Sequence, residues 1–281
     1  MKILVTNDDG YRAQGLEALV RILQHFGEVT VVAPKYHQSG MSMAVSMGFR
    51  RIAVKDLGLI DGARWFYLDG TPASCVKYGL DNVMADNPPD VVVSGINHGA
   101  NAGTAVLYSG TIGAAQEAAV NGIRAIGISL DDMRPEADFS AVEALFPSLF
   151  KKIMTLSSEN YGILYNVNFP NLPTDRIKGI RIGQQGKVHW EDEYQPYDPD
   201  IYARCGITKE QMGILFTPEL EPDEAAYMMA GDLTDSPGNT PDADHYLMMN
   251  GYVSVTVHNI DTTDYAETLR LRKLGFDEDF F

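Results

Sequence analysis

Two adjacent carboxylates stand directly after the first apolar run of the chain. The residues Lys2 to Thr6 (KILVT) predict a buried strand, because the run is rich in apolar side chains and too short for a helix. The turn Asn7-Asp8-Asp9-Gly10 follows. Paired carboxylates repel each other unless a cation neutralises them, and Mg²⁺ or Mn²⁺ prefers such oxygen ligands. An ordinary turn that caps a helix explains the same residues equally well.

A second polar cluster follows the next predicted strand, Val29 to Ala33. It reads Lys35-Tyr36-His37-Gln38-Ser39-Gly40. A hydroxyl beside a glycine can come close to a ligand and give an oxygen to a metal or a hydrogen bond to a phosphate. Because Ser-Gly pairs are common in loops, this cluster alone favours an ordinary loop.

The third cluster is the most specific, since it combines glycines, amides and hydroxyls within one stretch. The strand Val91 to Val93 runs into SGINHGANAG (94–103), and Ser109-Gly110-Thr111 then opens a helix of small residues. Hydroxyls and free backbone N–H groups at a helix N-terminus form an anion site. A plain glycine-rich turn would leave Asn97 and Asn101 unexplained, because buried amides need partners.

Other ways of handling phosphate fit the sequence poorly. The chain has no GxxxxGK[ST] motif, no GxGxxG after the first strand and no G-x-S-x-G elbow. A covalent aspartyl-phosphate of the D-x-D kind would need aspartate at position 7, which is Asn7. Metal-assisted hydrolysis by water is the simplest chemistry that remains.

The elements that must position these clusters alternate between strand and helix. Apolar residues recur at helical spacing from Leu16 to Phe26, and further segments continue the pattern: helix 73–84, strand 91–93, helix 111–120 and strand 123–130. Apolar strands separated by helices predict a parallel sheet that is covered on both faces. Ligands of such sheets bind at the carboxyl ends of the strands, so the three clusters should meet there.

The pattern becomes less regular beyond about residue 150. Residues 163–169 and 177–182 suit strands, Trp190 to Ile201 suits a loop or an edge excursion better than a core element, and Asp232 to Asp244 has the composition of turns. A helix that ends near Asn250 and a strand over 252–257 follow. The sequence predicts one α/β domain over 1–281, with a core of about 1–185 and a less regular extension of about 186–281.

Composition limits the class of partner. The 281 residues include 38 acidic and 22 basic side chains, which gives a formal net charge of −16. This acidity disfavours nucleic-acid duplexes and anionic membranes as partners. No apolar run approaches the roughly 18 residues of a membrane span, and the start MKILVTND does not resemble a signal peptide. Cys75 and Cys205 follow no metal-ligand spacing. We expect a cytoplasmic protein that acts on a small molecule.

Several motifs in this order resemble the SurE survival-protein phosphatases. They are TNDDG after the first strand, SG after the second, SGIN-x-G-x-N-x-G after a later strand, and YSGTIGAAQEA at the start of a helix. The segments NVNFP (166–170) and GYVSVT (251–256) are also similar to that family. The resemblance covers essentially the whole chain.

This resemblance implies a Rossmann-like, doubly wound, mostly parallel sheet with a protruding C-terminal region used in dimerisation, often with assembly to tetramers. It also implies a metal-dependent nucleotidase that acts on nucleoside 5′- and 3′-monophosphates, with one divalent cation per subunit, Mg²⁺ or Mn²⁺. The family's metal ligands correspond to Asp8, Asp9, Ser39 and Asn97, of which Asp8, Asp9 and Asn97 are the predicted catalytic residues. Its phosphate-binding residues correspond to Ser109, Gly110 and Thr111, with Asn101 in the same pocket.

Two departures from the family concern substrate preference and subunit packing. Val257-His258 stands where the family usually has proline, and residues 41–46 are less polar than usual.

Two other functions stay open: a phosphatase for other phosphorylated metabolites or short polyphosphate, and a nucleotide-binding module without turnover. His37 and His98 are both candidates for the proton donor, and the sequence does not choose between them.

Overall fold

A nine-stranded sheet forms the centre of the computed structural model, which describes residues 1–48, 51–134, 136–156, 161–200, 204 and 219–278. Cys205 lies outside the described residues, whereas Cys75 is buried. The strands of the large sheet are, in chain order, β1 (Lys2–Thr6), β2 (Glu28–Pro34), β3 (Val54–Ile60), β4 (Ala63–Leu68), β5 (Val91–His98), β6 (Arg124–Leu130), β7 (Ile163–Phe169), β8 (Ile180–Gly183) and β13 (Val253–Asn259).

Two small sheets and six α-helices complete the described elements. The small sheets pair β9 (Val188–Glu191) with β12 (Asp232–Asp235) and β10 (Tyr194–Pro196) with β11 (Tyr227–Met229). The helices are α1 (Gln14–Leu23), α2 (Pro72–Tyr78), α3 (Gly110–Val120), α4 (Ser140–Thr155), α5 (Asp244–Met249) and α6 (Tyr265–Lys273). Shorter helical turns cover Gly79–Val83, Gly103–Leu107 and Thr174–Arg176. None of the described helices is long and apolar enough to cross a membrane.

The strand order confirms the predicted fold class. Across the large sheet the order is β3-β4-β2-β1-β5-β6-β7-β13-β8, and the six strands from β4 to β7 are mutually parallel. If these six strands are renumbered 1 to 6 along the chain, their order across the sheet is 3-2-1-4-5-6. This is the strand order of a doubly wound dinucleotide-binding fold. The order reverses between β1 and β5, and ligands of such sheets bind in the crevice at this switch point.

Both faces of the sheet are buried, as the continuous apolar strands predict. Ile3 and Val5 of β1 pack into one hydrophobic cluster with α1 and α4, whereas Leu4 packs into the other with α2 and α3. Successive side chains of a strand point to opposite faces, so an unbroken apolar run fills both clusters. In the register of the two central strands Thr6 lies opposite Ser94, which brings the ends of β1 and β5 level with each other.

The C-terminal part contains more strand than the sequence predicts. Residues 190–201, predicted as a loop or an edge excursion rather than a core element, include the end of β9 and the short strand β10, and the turns predicted for 232–244 begin with β12. These strands are three or four residues long and mostly exposed, and antiparallel backbone hydrogen bonds hold them together rather than a buried apolar face. Because these strands do not bury one apolar face, alternation of apolar residues could not predict them. The strands predicted near 163–169 and 252–257 are confirmed as β7 and β13.

Candidate metal and phosphate site

Asp8 lies at the meeting point of three segments of the chain. It follows β1 directly, and only 3% of it is exposed to solvent. Its backbone carbonyl accepts a hydrogen bond of 2.7 Å from the N–H of Gln38, in the loop after β2. Its carboxylate accepts a hydrogen bond of 2.5 Å from the hydroxyl of Thr111, in the first turn of α3. The first and third polar clusters of the sequence are thus in direct contact.

The two carboxylates create a local excess of negative charge. Burial, together with the neighbouring charge of Asp9, raises the pKa of Asp8 to about 7, although the Thr111 hydrogen bond and His37 act in the opposite direction. A divalent cation would remove the cost of keeping both groups ionised. Within the described residues, no group of three or more His, Cys, Asp or Glu side chains is placed to hold a metal ion. An ion here therefore needs neutral oxygen ligands beside Asp8 and Asp9, and the predicted set provides them.

His37 is the histidine whose ring contacts this pair. Its Nδ1 lies 3.4 Å from Oδ1 of Asp9, and both side chains are largely buried. Burial by itself lowers the pKa of His37, but the hydrogen bond to Asp9 and the charges of Asp9 and Asp8 outweigh this effect and raise it. The ring of His98 is used elsewhere, since its Nδ1 lies 3.1 Å from the carbonyl of Arg134 and its edge packs against Phe139. The structure therefore favours His37 as the titratable neighbour of the carboxylates.

Asn97 is fixed at the end of β5, and in the part of the chain that the structure describes its amide oxygen accepts no hydrogen bond. It is 7% exposed, and its Nδ2 donates to the carbonyls of His98 (3.2 Å) and Gly99 (2.7 Å). Because the nitrogen is bound in this way, the oxygen points away from these carbonyls. The backbone N–H of His98 donates to Oδ2 of Asp9 at 3.2 Å, so the ends of β1 and β5 are joined at this point.

Ser39 is exposed and lies on a loop that is anchored on both sides. Gln38 binds the backbone of Asp8 on one side. On the other side the N–H of Ser42 donates to the carbonyl of Tyr108 at 3.0 Å, and its hydroxyl donates to the carbonyl of Leu107 at 2.8 Å. The loop after β2 therefore connects the turn of Asp8 to the segment before α3. In the described part of the chain the hydroxyl of Ser39 makes no hydrogen bond to the two carboxylates.

The start of α3 combines a helix cap with free backbone donors. The hydroxyl of Ser109 accepts a hydrogen bond of 3.1 Å from the N–H of Ile112, which makes Ser109 the N-cap. The N–H groups of Gly110 and Thr111 have no carbonyl within the helix to bind, so they are available to an anion. A Cβ on Gly110 would lie 2.8 Å from Cβ of Asp8 and 2.9 Å from its Oδ2. Glycine at this position is what lets the helix approach the carboxylate.

Asn101 is held by two asparagines that sequence reasoning had given no role. Its N–H donates to Oδ1 of Asn168 at 2.8 Å, and its carbonyl accepts from Nδ2 of Asn166 (2.7 Å) and of Asn168 (3.1 Å). Its own Nδ2 donates to the hydroxyl of Ser129 at 2.8 Å. Asn166 and Asn168 are fully buried in β7 and two residues apart, so they share one face of the strand. Two asparagines spaced two residues apart in an otherwise apolar strand are the sequence feature that could have indicated this role.

These contacts define a doubly wound α/β protein with a candidate oxygen-donor cation site beside a candidate anion site, both at the switch point of the sheet. The family model described as Survival protein SurE matches residues 3–192. Two curated relatives are named 5′-nucleotidase SurE. That of Cytophaga hutchinsonii is 38% identical over 93% of this chain and 92% of its own, and that of Syntrophobacter fumaroxidans is 37% identical over 94% and 96%.

A solved structure agrees with these matches. The crystal structure of the SurE protein from Aquifex aeolicus has a TM-score of 0.75 and 29% sequence identity, and the match covers 98% of this chain and 99% of that one. The chain belongs to the survival protein SurE family.

Proposed function

We propose that the protein is a metal-dependent 5′-nucleotidase that hydrolyses nucleoside 5′- and 3′-monophosphates to nucleoside and phosphate. The observation that carries the proposal is the contact between the buried, paired carboxylate Asp8 and Thr111 in the anion-binding first turn of α3. This contact supports a cation site directly beside a phosphate site. Relatives named 5′-nucleotidase SurE support the same activity.

The residues predicted to hold the ion are Asp8, Asp9, Ser39 and Asn97. Their two carboxylates and two neutral oxygens suit one divalent cation, Mg²⁺ or Mn²⁺, per subunit. When bound, such an ion supplies Lewis-acid stabilisation of the phosphoryl group and lowers the pKa of water. Because two ligands are neutral, the site keeps only two negative charges and still admits a phosphate dianion.

The remaining predicted residues bind the phosphate in this proposal. The N–H groups of Gly110 and Thr111 are placed to donate to phosphate oxygens, while Ser109 caps the helix that carries them. Asn101, fixed by β7, forms the far wall of the same pocket in this proposal. His37 can carry a proton at Nδ1 beside Asp9, which makes it our preferred candidate for proton transfer to the leaving group.

Overall charge favours small substrates in this proposal. Two of the 38 acidic residues, Asp8 and Asp9, are assigned to the chemistry, while the net charge of −16 repels long polyanions. Small monophosphates are therefore preferred over polyphosphate, and salt should weaken this preference.

We also propose a cytoplasmic protein that forms a homodimer capable of further assembly to a tetramer, with the extension of about 186–281 as the contact region. The two small sheets of this extension expose large apolar side chains: Trp190, Tyr194, Tyr227, Met229 and Leu233. Light scattering on the purified chain and fractionation of cells test these two points.

Phosphate release from a panel of substrates tests the activity. The panel is a 5′- and a 3′-nucleoside monophosphate, ribose 5-phosphate and short polyphosphate, each with Mg²⁺, Mn²⁺ or a chelator. We expect nucleotides to be preferred, and we expect Asp9→Asn to lose turnover while keeping the fold. Asp175→Asn, at an exposed aspartate, is the control. Preference for sugar phosphate or polyphosphate would favour a general phosphatase, and nucleotide binding without hydrolysis would favour a binding module.

A further inference from the structure

A fully buried carboxylate lies outside the set of residues discussed so far. Asp244 is the first residue of α5, in the C-terminal part of the chain, and none of its surface is exposed to solvent. A buried carboxylate costs free energy unless hydrogen bonds or an opposite charge compensate for it. Its partners therefore indicate what the residue does.

Three backbone N–H groups from three segments converge on Asp244. The N–H of Gly103 lies 3.0 Å from both carboxylate oxygens. The N–H groups of Gly186 (3.0 Å) and His245 (2.9 Å) donate to Oδ1 only. Within the described residues, Oδ1 accepts hydrogen bonds from all three N–H groups and Oδ2 accepts one from Gly103, and Nδ1 of His245 lies 3.5 Å from Oδ1. The side chain connects the glycine-rich loop after β5 to the segment before β9 and to α5.

Gly103 occupies the midpoint between the two halves of the candidate site. It lies six residues after Asn97, a predicted metal ligand, and six residues before Ser109, which caps the phosphate-binding helix. It also begins the helical turn Gly103–Leu107 that leads to Ser109. Anchoring this N–H therefore restrains the loop that connects Asn97 to Ser109.

Close packing around Gly103 supports the same interpretation. A Cβ on Gly103 would lie 2.5 Å from Cγ2 of Val188, and a Cβ on Gly186 would lie 2.2 Å from Nδ1 of His245. The hydroxyl of Thr104 donates to the carbonyl of Val188. The loop is thus packed directly against the start of β9, with no space between them for an additional methyl group.

We propose that Asp244 is a positioning residue for the reaction: its carboxylate holds Gly103 so that Asn97 and the turn 109–111 keep the spacing that the substrate phosphate needs. The inference rests on the proposed function, because it assigns that spacing to phosphate-ester hydrolysis. It also gives the C-terminal part of the chain a role inside the candidate site, in addition to any role in assembly.

The variant Asp244→Asn tests this role selectively. Its amide oxygen can keep the three hydrogen bonds of Oδ1, but its nitrogen would replace Oδ2 and face the N–H of Gly103, donor against donor. We expect kcat/KM at saturating metal to fall about 10- to 100-fold, the range typical of lost support for a metal site or of a small misplacement. Hydrogen exchange should rise in the peptide over residues 99–108 and stay unchanged over 180–190.

Leu247→Ala provides the matched control. Leu247 lies on the same helix and is buried, so its truncation should destabilise α5 without touching the carboxylate. This variant should keep kcat/KM within about threefold and show no selective exchange at 99–108. Normal kinetics in Asp244→Asn, or an equal kinetic loss in Leu247→Ala, would overturn the inference. A wild-type chain without activity would instead overturn the proposed function, while the exchange measurement would still report on the Gly103 anchor.

Discussion

The hydroxyl of Thr111 donates a hydrogen bond to the carboxylate of Asp8, a residue 103 positions earlier in the chain. Asp8 belongs to the turn after the first strand, and Thr111 belongs to the first turn of α3. The hydroxyl that the sequence assigned to phosphate therefore also orients a predicted metal ligand. The N–H of Thr111 stays available to an anion, so one residue can contact both halves of the site.

Thr111→Val should weaken metal binding. Loss of the hydroxyl removes a hydrogen bond that lowers the pKa of Asp8, so more of this carboxyl is protonated at neutral pH. A hydrogen bond to a charged group contributes about 1.5 kcal/mol or more, which corresponds to roughly a tenfold loss of affinity. Calorimetric titration with Mn²⁺ at pH 7 measures this effect. Thr111→Ser keeps the donor and should bind within about threefold of wild type, whereas equal binding by the valine variant would refute the argument.

Asp8→Asn should stabilise the metal-free protein at high pH. The pKa of Asp8 is about 7 in the folded chain and near 3.8 when unfolded, so the folded state holds the extra proton between these values. Folding stability without metal therefore falls as pH rises from about 4 to 7. Asparagine cannot ionise and escapes this loss, which amounts to roughly 2–4 kcal/mol at pH 8. Urea unfolding in chelator should show this gain at pH 8 and little gain near pH 4. A gain that does not depend on pH would contradict the assignment.

Metal binding should release a proton below neutral pH. An ion needs the ionised form of Asp8, whose pKa is about 7 without metal. The apparent affinity for Mn²⁺ should then fall by up to about tenfold for each pH unit below 7 and level off above pH 8. Titration calorimetry in two buffers that differ in ionisation enthalpy counts the protons released. An affinity that is constant from pH 5.5 to 8 would exclude Asp8 as a titrating ligand.

The strand ends of the site were predictable from sequence, because their position follows from simple rules. Short apolar runs predicted β1, β2 and β5, and parallel strands bring their carboxyl ends to one edge of the sheet. The contact between Asp8 and Thr111 was not predictable, since it depends on how closely α3 packs against the sheet. The need for glycine at position 110 was not predictable either, because it arises from the contact of this position with Asp8 in the folded chain.

Several helices and strands were not predicted, because their sequences lack part of the pattern by which such elements are recognised. The edge strand β3 is mostly exposed, and β4 (ARWFYL) is a short apolar run that could suit a helix as well. The helix α4 has an apolar stripe but contains Pro147 and lacks a side-chain N-cap, whereas α6 is capped by Asp264 but buries none of its side chains. Asp244 lies in a turn-like stretch, where its burial arises only from tertiary packing.

The two ends of α3 should separate activity from stability. Gly110→Ala places a methyl group within 3 Å of Asp8, so we expect about a hundredfold loss of kcat/KM, together with a loss of about 1–3 kcal/mol of stability because the packed site must shift to admit the methyl group. Gly122, just beyond the other end, has a φ of +70° and open space around it. Gly122→Ala should therefore lose about 1 kcal/mol of stability through backbone strain and keep its activity. Thermal unfolding and phosphate release, measured on both variants, check that both lose stability and that only Gly110→Ala loses activity. Full activity in Gly110→Ala would mean that the close approach of α3 to Asp8 is not needed.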